Sequence, residues 1–337
     1  MVVIMFLEYC VAISILGAGA WGTAIAISLG SKKDVILWTR NETTFESINE
    51  KRESDKLPGC RISDNVSVKL AIEDAVNASV TILAVPTQSL REVCQQLHNC
   101  NLKKDVAIIL ACKGIEKSTL KLPSEIVNEV LPNNPIAIFS GPSFAVEVAR
   151  KLPYSMVLAC RNNILGSKLI SELQQENVKL HLSRDVIGIQ VCAALKNVFA
   201  IACGIVLGSK LGFNAHAALI TKSVSEIKAL YSAKVGNGNV DINTLLGPAC
   251  LGDLIMTCTS LNSRNLSFGF KIGNSDNGFN VQQILSEGKS VIEGFSTAEP
   301  IFNLARKLKI KMPICEAVYR LLYESASIED TISVLVN

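Results

Sequence analysis

Val11-Ala12-Ile13-Ser14-Ile15-Leu16-Gly17-Ala18-Gly19-Ala20-Trp21-Gly22 is the stretch whose reading decides the fold. Its first half is a short apolar run of the kind that fills a buried strand. A Gly-x-Gly-x-x-Gly pattern follows, and residues 21–29 continue as a helix. Between a strand and a helix these glycines form a phosphate cradle: Gly17 permits the tight turn, Gly19 lets backbone approach a pyrophosphate, and Gly22 lets helix and strand pack closely. The helix start adds free N–H groups and a partial positive charge. A plain turn with incidental glycines is the other reading of the same residues.

Outward from this turn the strand–helix alternation continues. Residues 35–39, 80–85, 106–111, 136–139, 156–159 and 178–182 read as further strands, with helices at 89–98 and 124–130. Such alternation predicts a mostly parallel sheet covered by helices on both faces. Near residue 183 the character changes. Helical patterns then dominate at 186–206, 215–231, 281–285, 297–308 and 314–324, punctuated by Gly288 and Pro313. The expectation is a Rossmann-like α/β domain over residues 1–183 and an all-α domain over 184–337. A polar turn or exposed loop is expected at 273–278.

Bulk properties narrow the class. The 337 residues are 49% apolar and 19% charged, which suits a globular chain with well-buried cores. Basic residues number 33 and acidic ones 30, with no polybasic run, so nucleic acid is not an expected partner. The eleven cysteines are odd in number, lack any C-x-x-C pair and partly lie in apolar runs (Cys192, Cys203, Cys258). They read as buried thiols of a reducing cytoplasm rather than as disulfides or zinc ligands. Two stretches imitate membrane segments. Residues 1–16 contain Glu8 and lack a basic flank, so they do not read as a signal peptide. Residues 187–207 carry Gln190, Lys196 and Asn197 near their middle, which favours a buried core helix over an integral membrane segment.

The carboxyl ends of the predicted strands are where such a sheet binds its ligand. The second strand ends Leu37-Trp38-Thr39-Arg40, with no acidic residue for a ribose hydroxyl. Arg40 there would pair with a 2′-phosphate, which favours NADP over NAD. Otherwise Arg40 is solvated and Glu42 takes the NAD role. Val85-Pro86-Thr87, Lys113 within Ala111-Cys112-Lys113-Gly114, and Ser140-Gly141-Pro142-Ser143-Phe144-Ala145 mark three further strand ends. Singly each is a structural turn; jointly they line a crevice.

Lys196 is the one charged residue of its apolar helix. It must be paired, reach a cavity, lose its proton or snorkel outward. Asp253 offers a carboxylate to orient it, and Ser263-Arg264-Asn265 offers a hydroxyl, a planar fork and an amide, the groups a phosphate monoester needs. Helix capping by Ser263 with a surface Arg264 is the plainer alternative.

These segments together resemble the bacterial-type NAD(P)-dependent glycerol-3-phosphate dehydrogenase family. The resemblance runs from residue 12 to 330 and rests on G-A-G-A-W-G-T-A (17–24), V-I-L-W-T-R (35–40), A-C-K-G (111–114) and S-G-P-S-F-A (140–145). It continues through L-K-N-V-F-A-I-A (195–202), N-A-H-A-A-L-I-T (214–221), L-G-D-L-I-M-T-C-T-S (251–260), S-R-N (263–265) and V-I-E-G (291–294). It implies interconversion of sn-glycerol 3-phosphate and dihydroxyacetone phosphate, with NADP or NAD and without a metal. By resemblance Lys196 is the proton donor and acceptor. Lys113, Gly141, Ser143, Lys196, Asp253, Ser263, Arg264 and Asn265 meet the substrate. Gly17, Gly19, Ala20, Trp21, Gly22, Arg40, Lys113, Ala145, Arg264, Val291 and Glu293 meet the cofactor. The family is often dimeric, and a homodimer is the assembly the resemblance allows.

Departures from the family pattern are Ala20 in place of a common serine, His216 in place of lysine or arginine, and Cys250 in place of glycine, where it would crowd a turn. The ten or so residues before Val11 are longer and greasier than is usual, as an extra piece of strand or a misassigned start. Two rivals are kept: another two-domain dehydrogenase of hydroxy-acid or 6-phosphogluconate type, and a non-enzymatic NADP-sensing protein.

Overall fold

The computed structural model describes residues 13–236, 238–275, 280–287 and 291–336. The readings made for residues 1–12, for Gly288 and for 276–278 lie outside the described residues.

The first half consists of β1 (Ile13–Leu16), α1 (Ala20–Leu29), β2 (Val35–Trp38), α2 (Glu42–Lys51), β3 (Val66–Lys69), β4 (Val80–Leu83), α3 (Leu90–Asn99), β5 (Ala107–Leu110), α4 (Pro123–Val130), β6 (Ile136–Ser140), α5 (Ala145–Ala149), β7 (Tyr154–Ala159), α6 (Asn163–Leu173) and β8 (Val178–Ser183). They build one eight-stranded sheet in the order β3-β2-β1-β4-β5-β6-β7-β8. All neighbours pair in parallel except β6 and β7. Central strands β1, β4 and β5 are buried at every residue, the expected pattern for a parallel sheet covered on both faces. Separate apolar clusters fill the two faces. The ordered reversal at β1, where the chain leaves for β2 on one side and β4 on the other, opens a crevice above the strand ends.

The sequence pattern missed β3, α2 and α6. β3 is an edge strand, Val-Ser-Val-Lys, buried at alternate residues only. α2 is polar along most of its length, with Thr44 and Ile48 its buried positions. Several strands are also shorter than expected, although Thr39, Ala84 and Ala111 just past their ends still donate to carbonyls of the neighbouring strands.

The second half is helical: α7 (Val186–Gly208), α8 (Gly212–Val235), α9 (Ile242–Leu246), a π-helical turn at Pro248–Gly252, α10 (Asp253–Thr259), α11 (Arg264–Gly273), α12 (Val281–Glu287), α13 (Glu293–Leu308), α14 (Pro313–Tyr323) and α15 (Ile328–Val336). α7 is the axis of this half and is wrapped by α8, α10, α11 and α13. It is long and apolar enough to cross a membrane, yet 94% of its most apolar window is buried inside the protein. Its capping residue Asp185 accepts a hydrogen bond from Gly188 N at 2.8 Å.

A glycine seam fixes how α7 meets α11. A Cβ on Gly269 would collide with the Ile201 carbonyl, and one on Gly273 with that of Ile205. From the other side, Gly204 and Gly208 face the backbone of Leu266 and Phe270. The two helices therefore touch backbone to backbone and advance in the same direction.

Candidate active site

The cradle is built as the glycine pattern demands. Gly17 lies at φ +117°, and a Cβ there would stand 2.7 Å from the Ala84 carbonyl oxygen. A Cβ on Gly22 would run into the Gly17 carbonyl oxygen, so strand end and helix start touch. Gly19 differs: it is exposed and a Cβ on it would meet nothing within 4 Å. Among the described residues that space is open. No side chain caps α1 and no acidic residue lies in its first turn, so its leading N–H groups and dipole face the opening. A pyrophosphate fits these donors. Trp21, half-buried, stacks on Phe139 at 6.4 Å.

Beside the cradle lies a cleft of about 440 Å³, reached by Gly17, Gly19, Arg40, Val85, Pro86 and Lys56 among others. Arg40 is mostly exposed, with Glu92 3.8 Å away. Glu42 does not line the cleft; it lies in the first turn of α2. The acid that does line it is Asp55, from the loop between α2 and β3.

Three charged groups from three separated segments meet at the foot of the crevice. Lys196 Nζ donates to Asp253 Oδ1 at 2.6 Å and to Thr257 Oγ1 at 3.0 Å. Lys113 Nζ donates to the other oxygen, Asp253 Oδ2, at 2.9 Å. Asp253 is fully buried and Lys196 nearly so. Lys113 stands just past β5, Lys196 mid-way along α7, and Asp253 at the start of α10 directly after the π-helical turn. Thr257, one turn along α10, donates back to the Asp253 carbonyl at 2.6 Å. An ammonium has three donors; two of those on Lys196 are spent here, leaving one for a ligand.

The charges respond to each other. Burial pushes Lys196 down to about 8, and Lys113 adds to that against the pull of Asp253. Burial also lowers Lys113, but the Asp253 carboxylate and then Glu293 outweigh it, so Lys113 stays above its ordinary value. For Asp253 burial is opposed by Lys113 and Lys196, which hold its carboxyl below the usual range. Lys113 therefore holds its proton more firmly than Lys196 does.

A second polar set lies beside Lys196. Asn197 donates to Glu293 Oε2 at 2.9 Å and accepts from Asn265 Nδ2 at 3.0 Å. Asn265 Oδ1 in turn accepts from Gly294 N at 2.8 Å. Every polar side chain in the middle of α7 is thus satisfied, since Gln190 exchanges hydrogen bonds with the Ser124 backbone and hydroxyl at 2.8 and 2.9 Å.

The remaining sequence-predicted residues divide. Gly141 lies at φ +154° with no room for a Cβ beside the Ser155 carbonyl, and the Ser143 hydroxyl donates back to Gly141 O at 3.0 Å. Pro142 of this turn approaches Gly252, next to Asp253. Ala145 opens α5, which packs on α1. Ser263 caps α11, its hydroxyl oxygen accepting from Leu266 N at 3.3 Å, which leaves the O–H as a donor. Arg264 is exposed and makes no hydrogen bond or ion pair among the described residues. Val291 is 57% exposed. Cys250 does not crowd an ordinary turn; it sits buried in the π-helical turn. His216 is buried and its Nε2 lies 2.7 Å from the Cys258 carbonyl oxygen.

Asn197, Thr257, Asp55 and Lys56 were not among the predicted site residues. Thr257 had a signal, being four residues after Asp253 on one helix face. Asn197 had one too, as a buried amide in an apolar helix. The loop residues had none.

Comparison with known proteins places this geometry. The family model described as NAD-dependent glycerol-3-phosphate dehydrogenase N-terminus matches residues 12–165, and its C-terminus counterpart matches 185–333. A glycerol-3-phosphate dehydrogenase (NAD(P)+) of Wolbachia sp. subsp. Drosophila simulans (strain wRi) is 93% identical over 326 residues, covering 97% of this chain and 100% of the relative. The protein of the same name from Ehrlichia chaffeensis is 46% identical over 325 residues, 95% of this chain and 98% of its own length. The crystal structure of glycerol-3-phosphate dehydrogenase (gpsA) from Coxiella burnetii superposes with a TM-score of 0.91 at 32% identity, covering 97% of this chain and 98% of that one.

Proposed function

This chain belongs to the NAD-dependent glycerol-3-phosphate dehydrogenase family, and from that membership we propose how its residues divide the work. The protein is an oxidoreductase that interconverts sn-glycerol 3-phosphate and dihydroxyacetone phosphate with NAD(P), the step that supplies glycerol 3-phosphate to glycerophospholipid synthesis. The balance is dihydroxyacetone phosphate plus NAD(P)H plus a proton giving glycerol 3-phosphate and NAD(P)+. Family membership sets aside both the hydroxy-acid dehydrogenase and the non-enzymatic sensor.

The observation that carries the assignment is the shared carboxylate of Asp253 between Lys196 and Lys113. In the reducing direction a bound nicotinamide cofactor would supply the hydride that C2 of dihydroxyacetone phosphate needs. Lys196 gives the proton that neither Asp253 nor Thr257 engages to the oxygen on C2, becomes the neutral amine, and regains a proton from solvent. Asp253 and Thr257 hold Nζ in place so that the donor needs no reorganisation when charge develops. Lys113, which keeps its charge, stabilises the developing oxyanion and attracts the phosphate. Gly141, Ser143, Arg264 and Asn265 complete the substrate's surroundings in this reading, with Ser263 acting through the helix start it caps. Gly17, Gly19, Ala20, Trp21 and Gly22 hold the cofactor's pyrophosphate side. Arg40 reads its adenosine end, and Ala145, Val291 and Glu293 border it. Residues 1–183 would then bind cofactor and 184–337 position the substrate.

NADPH is the proposed preferred cofactor, because Arg40 stands where NAD enzymes carry an acid. Reduction of dihydroxyacetone phosphate with NADPH and NADH side by side tests both statements. No turnover with either would overturn the activity, and a clear NADH preference would overturn the reading of Arg40. We place the protein in the cytoplasm; the ten described cysteines, all free, support a reducing compartment. A homodimer through the helical half is supported by its exposed Phe213, Ile242, Leu246 and Leu261; sedimentation as a monomer at micromolar concentration would refute it.

A further inference from the structure

The cleft beside the cradle carries a cation that the end of β2 does not supply. Lys56 lines it from the loop between α2 and β3, whereas Arg40 lines it from just past the end of β2. That loop is well anchored. Arg52, in the left-handed region at φ 54°, sends its guanidinium to the carbonyls of Ile62 (3.3 Å), Val66 (2.8 Å) and Ser63. Ser54 and Leu57 are buried and joined by an isolated antiparallel bridge. The Ser54 hydroxyl accepts from Lys56 N at 3.3 Å. The backbone bearing Lys56 is thus fixed, whereas its side chain is 42% exposed.

Neither cation of the cleft is committed. Among the described residues Lys56 Nζ meets only its sequence neighbour Asp55, at 2.7 Å between solvent-exposed groups, and Arg40 meets Glu92 at 3.8 Å with both side chains mostly exposed. Such surface pairs are weak and give way to a stronger anion. The cofactors differ by one group, the phosphate on the adenosine ribose, which carries up to two negative charges near neutral pH. One guanidinium neutralises half of that.

We propose that Lys56 is the second reader of the cofactor's 2′-phosphate, binding it together with Arg40 in the cleft that both line. The inference rests on assigning this cleft to the adenosine end of the cofactor. It also accounts for tolerance of NAD. When no phosphate arrives, Lys56 stays neutralised by Asp55, so an uncharged ribose meets no unpaired cation, and the Asp55 carboxylate is at hand for its hydroxyls.

The test uses the full-length chain with Lys56→Met and Lys56→Arg, titrated with 2′,5′-ADP and with 5′-AMP at low and moderate salt. Lys56→Met should weaken 2′,5′-ADP about five- to tenfold more than 5′-AMP, less so at higher salt. The ratio of NADPH to NADH efficiency should fall by the same factor, and Lys56→Arg should restore most of both. Equal weakening of the two nucleotides, or no weakening, overturns the role of Lys56. If the unaltered chain failed to reduce dihydroxyacetone phosphate, the functional reading would fall, while the nucleotide titration would still decide on Lys56.

Discussion

Asn197 on α7 and Asn265 on α11 share a 3.0 Å hydrogen bond at an offset of 68 residues, the same offset that relates Ile201 to Gly269 and Ile205 to Gly273. The amide pair is therefore the polar continuation of the glycine seam. Backbone contact between the helices sets a register, and that register delivers Asn265 to the residue next to Lys196.

Gly269→Ala tests the seam. Its methyl group would press on the Ile201 carbonyl, and overpacking of this kind costs about 1–3 kcal/mol. The melting temperature should fall by several degrees. Turnover should fall as well at temperatures where the variant is folded, because the Asn197–Asn265 register shifts. An unchanged melting curve would show that the helices part freely.

The proposed proton transfer by Lys196 predicts a pH dependence with opposite signs in the two directions. Its value of about 8 means that the ammonium, the form needed to protonate the reduced carbonyl, prevails below that pH. Reduction measured as kcat/KM should fall as pH rises through about 8, and oxidation of glycerol 3-phosphate should rise through the same range. Lys196→Ala should lose at least about a hundredfold in kcat in both directions while still binding cofactor. Near-normal turnover in that variant, or parallel pH limbs, would remove Lys196 from proton transfer.

Asp253→Asn keeps the shape and removes the charge that both lysines share. Without it Lys196 feels burial and Lys113 unopposed, so its value drops below about 8 and the reduction limb moves to lower pH. Leaving buried ammonium groups without a counter-ion also costs about 3–5 kcal/mol of stability. A profile that stays in place would mean that Asp253 does not govern Lys196.

Arg264 is exposed and uncommitted at the first position of α11. A guanidinium there would bind the substrate phosphate through two parallel hydrogen bonds. Arg264→Lys retains charge and loses the fork. Its kcat/KM on dihydroxyacetone phosphate should fall about ten- to a hundredfold, in line with charge-assisted hydrogen bonds of roughly 1.5 to 3 kcal/mol. Unphosphorylated dihydroxyacetone is the control: equal harm to both substrates would assign Arg264 to the cofactor or the fold.

What the sequence shows and what it hides follow from range. The cradle is local, with strand, glycines and helix inside a dozen residues, so the tight turn at Gly17 and the close packing at Gly22 were legible in it. Lys196 was legible because a charge in an apolar helix needs an explanation wherever it sits. The β3 edge strand, half-buried over four residues, and the polar α2 gave too little periodicity to read. Asn197 waits for a partner 68 residues away. Lys56 depends on how Arg52 pins a loop by carbonyls 10 to 14 residues on. Ser263 is a helix cap, and residue type alone could not separate that role from phosphate binding, since a hydroxyl both accepts and donates.

The dependence of α7 on cover from α8, α10, α11 and α13 has a consequence for synthesis. All four follow it in the chain, so a ribosome exposes 23 greasy residues well before anything exists to shield them. During that interval the nascent protein resembles a membrane-targeting signal and a chaperone client. A chain stopped just before Arg264 should therefore pellet or be held by a holdase, whereas one completed through α13 should stay in the supernatant. Full solubility of the shorter chain would show that α8 and α10 alone suffice as a sheath.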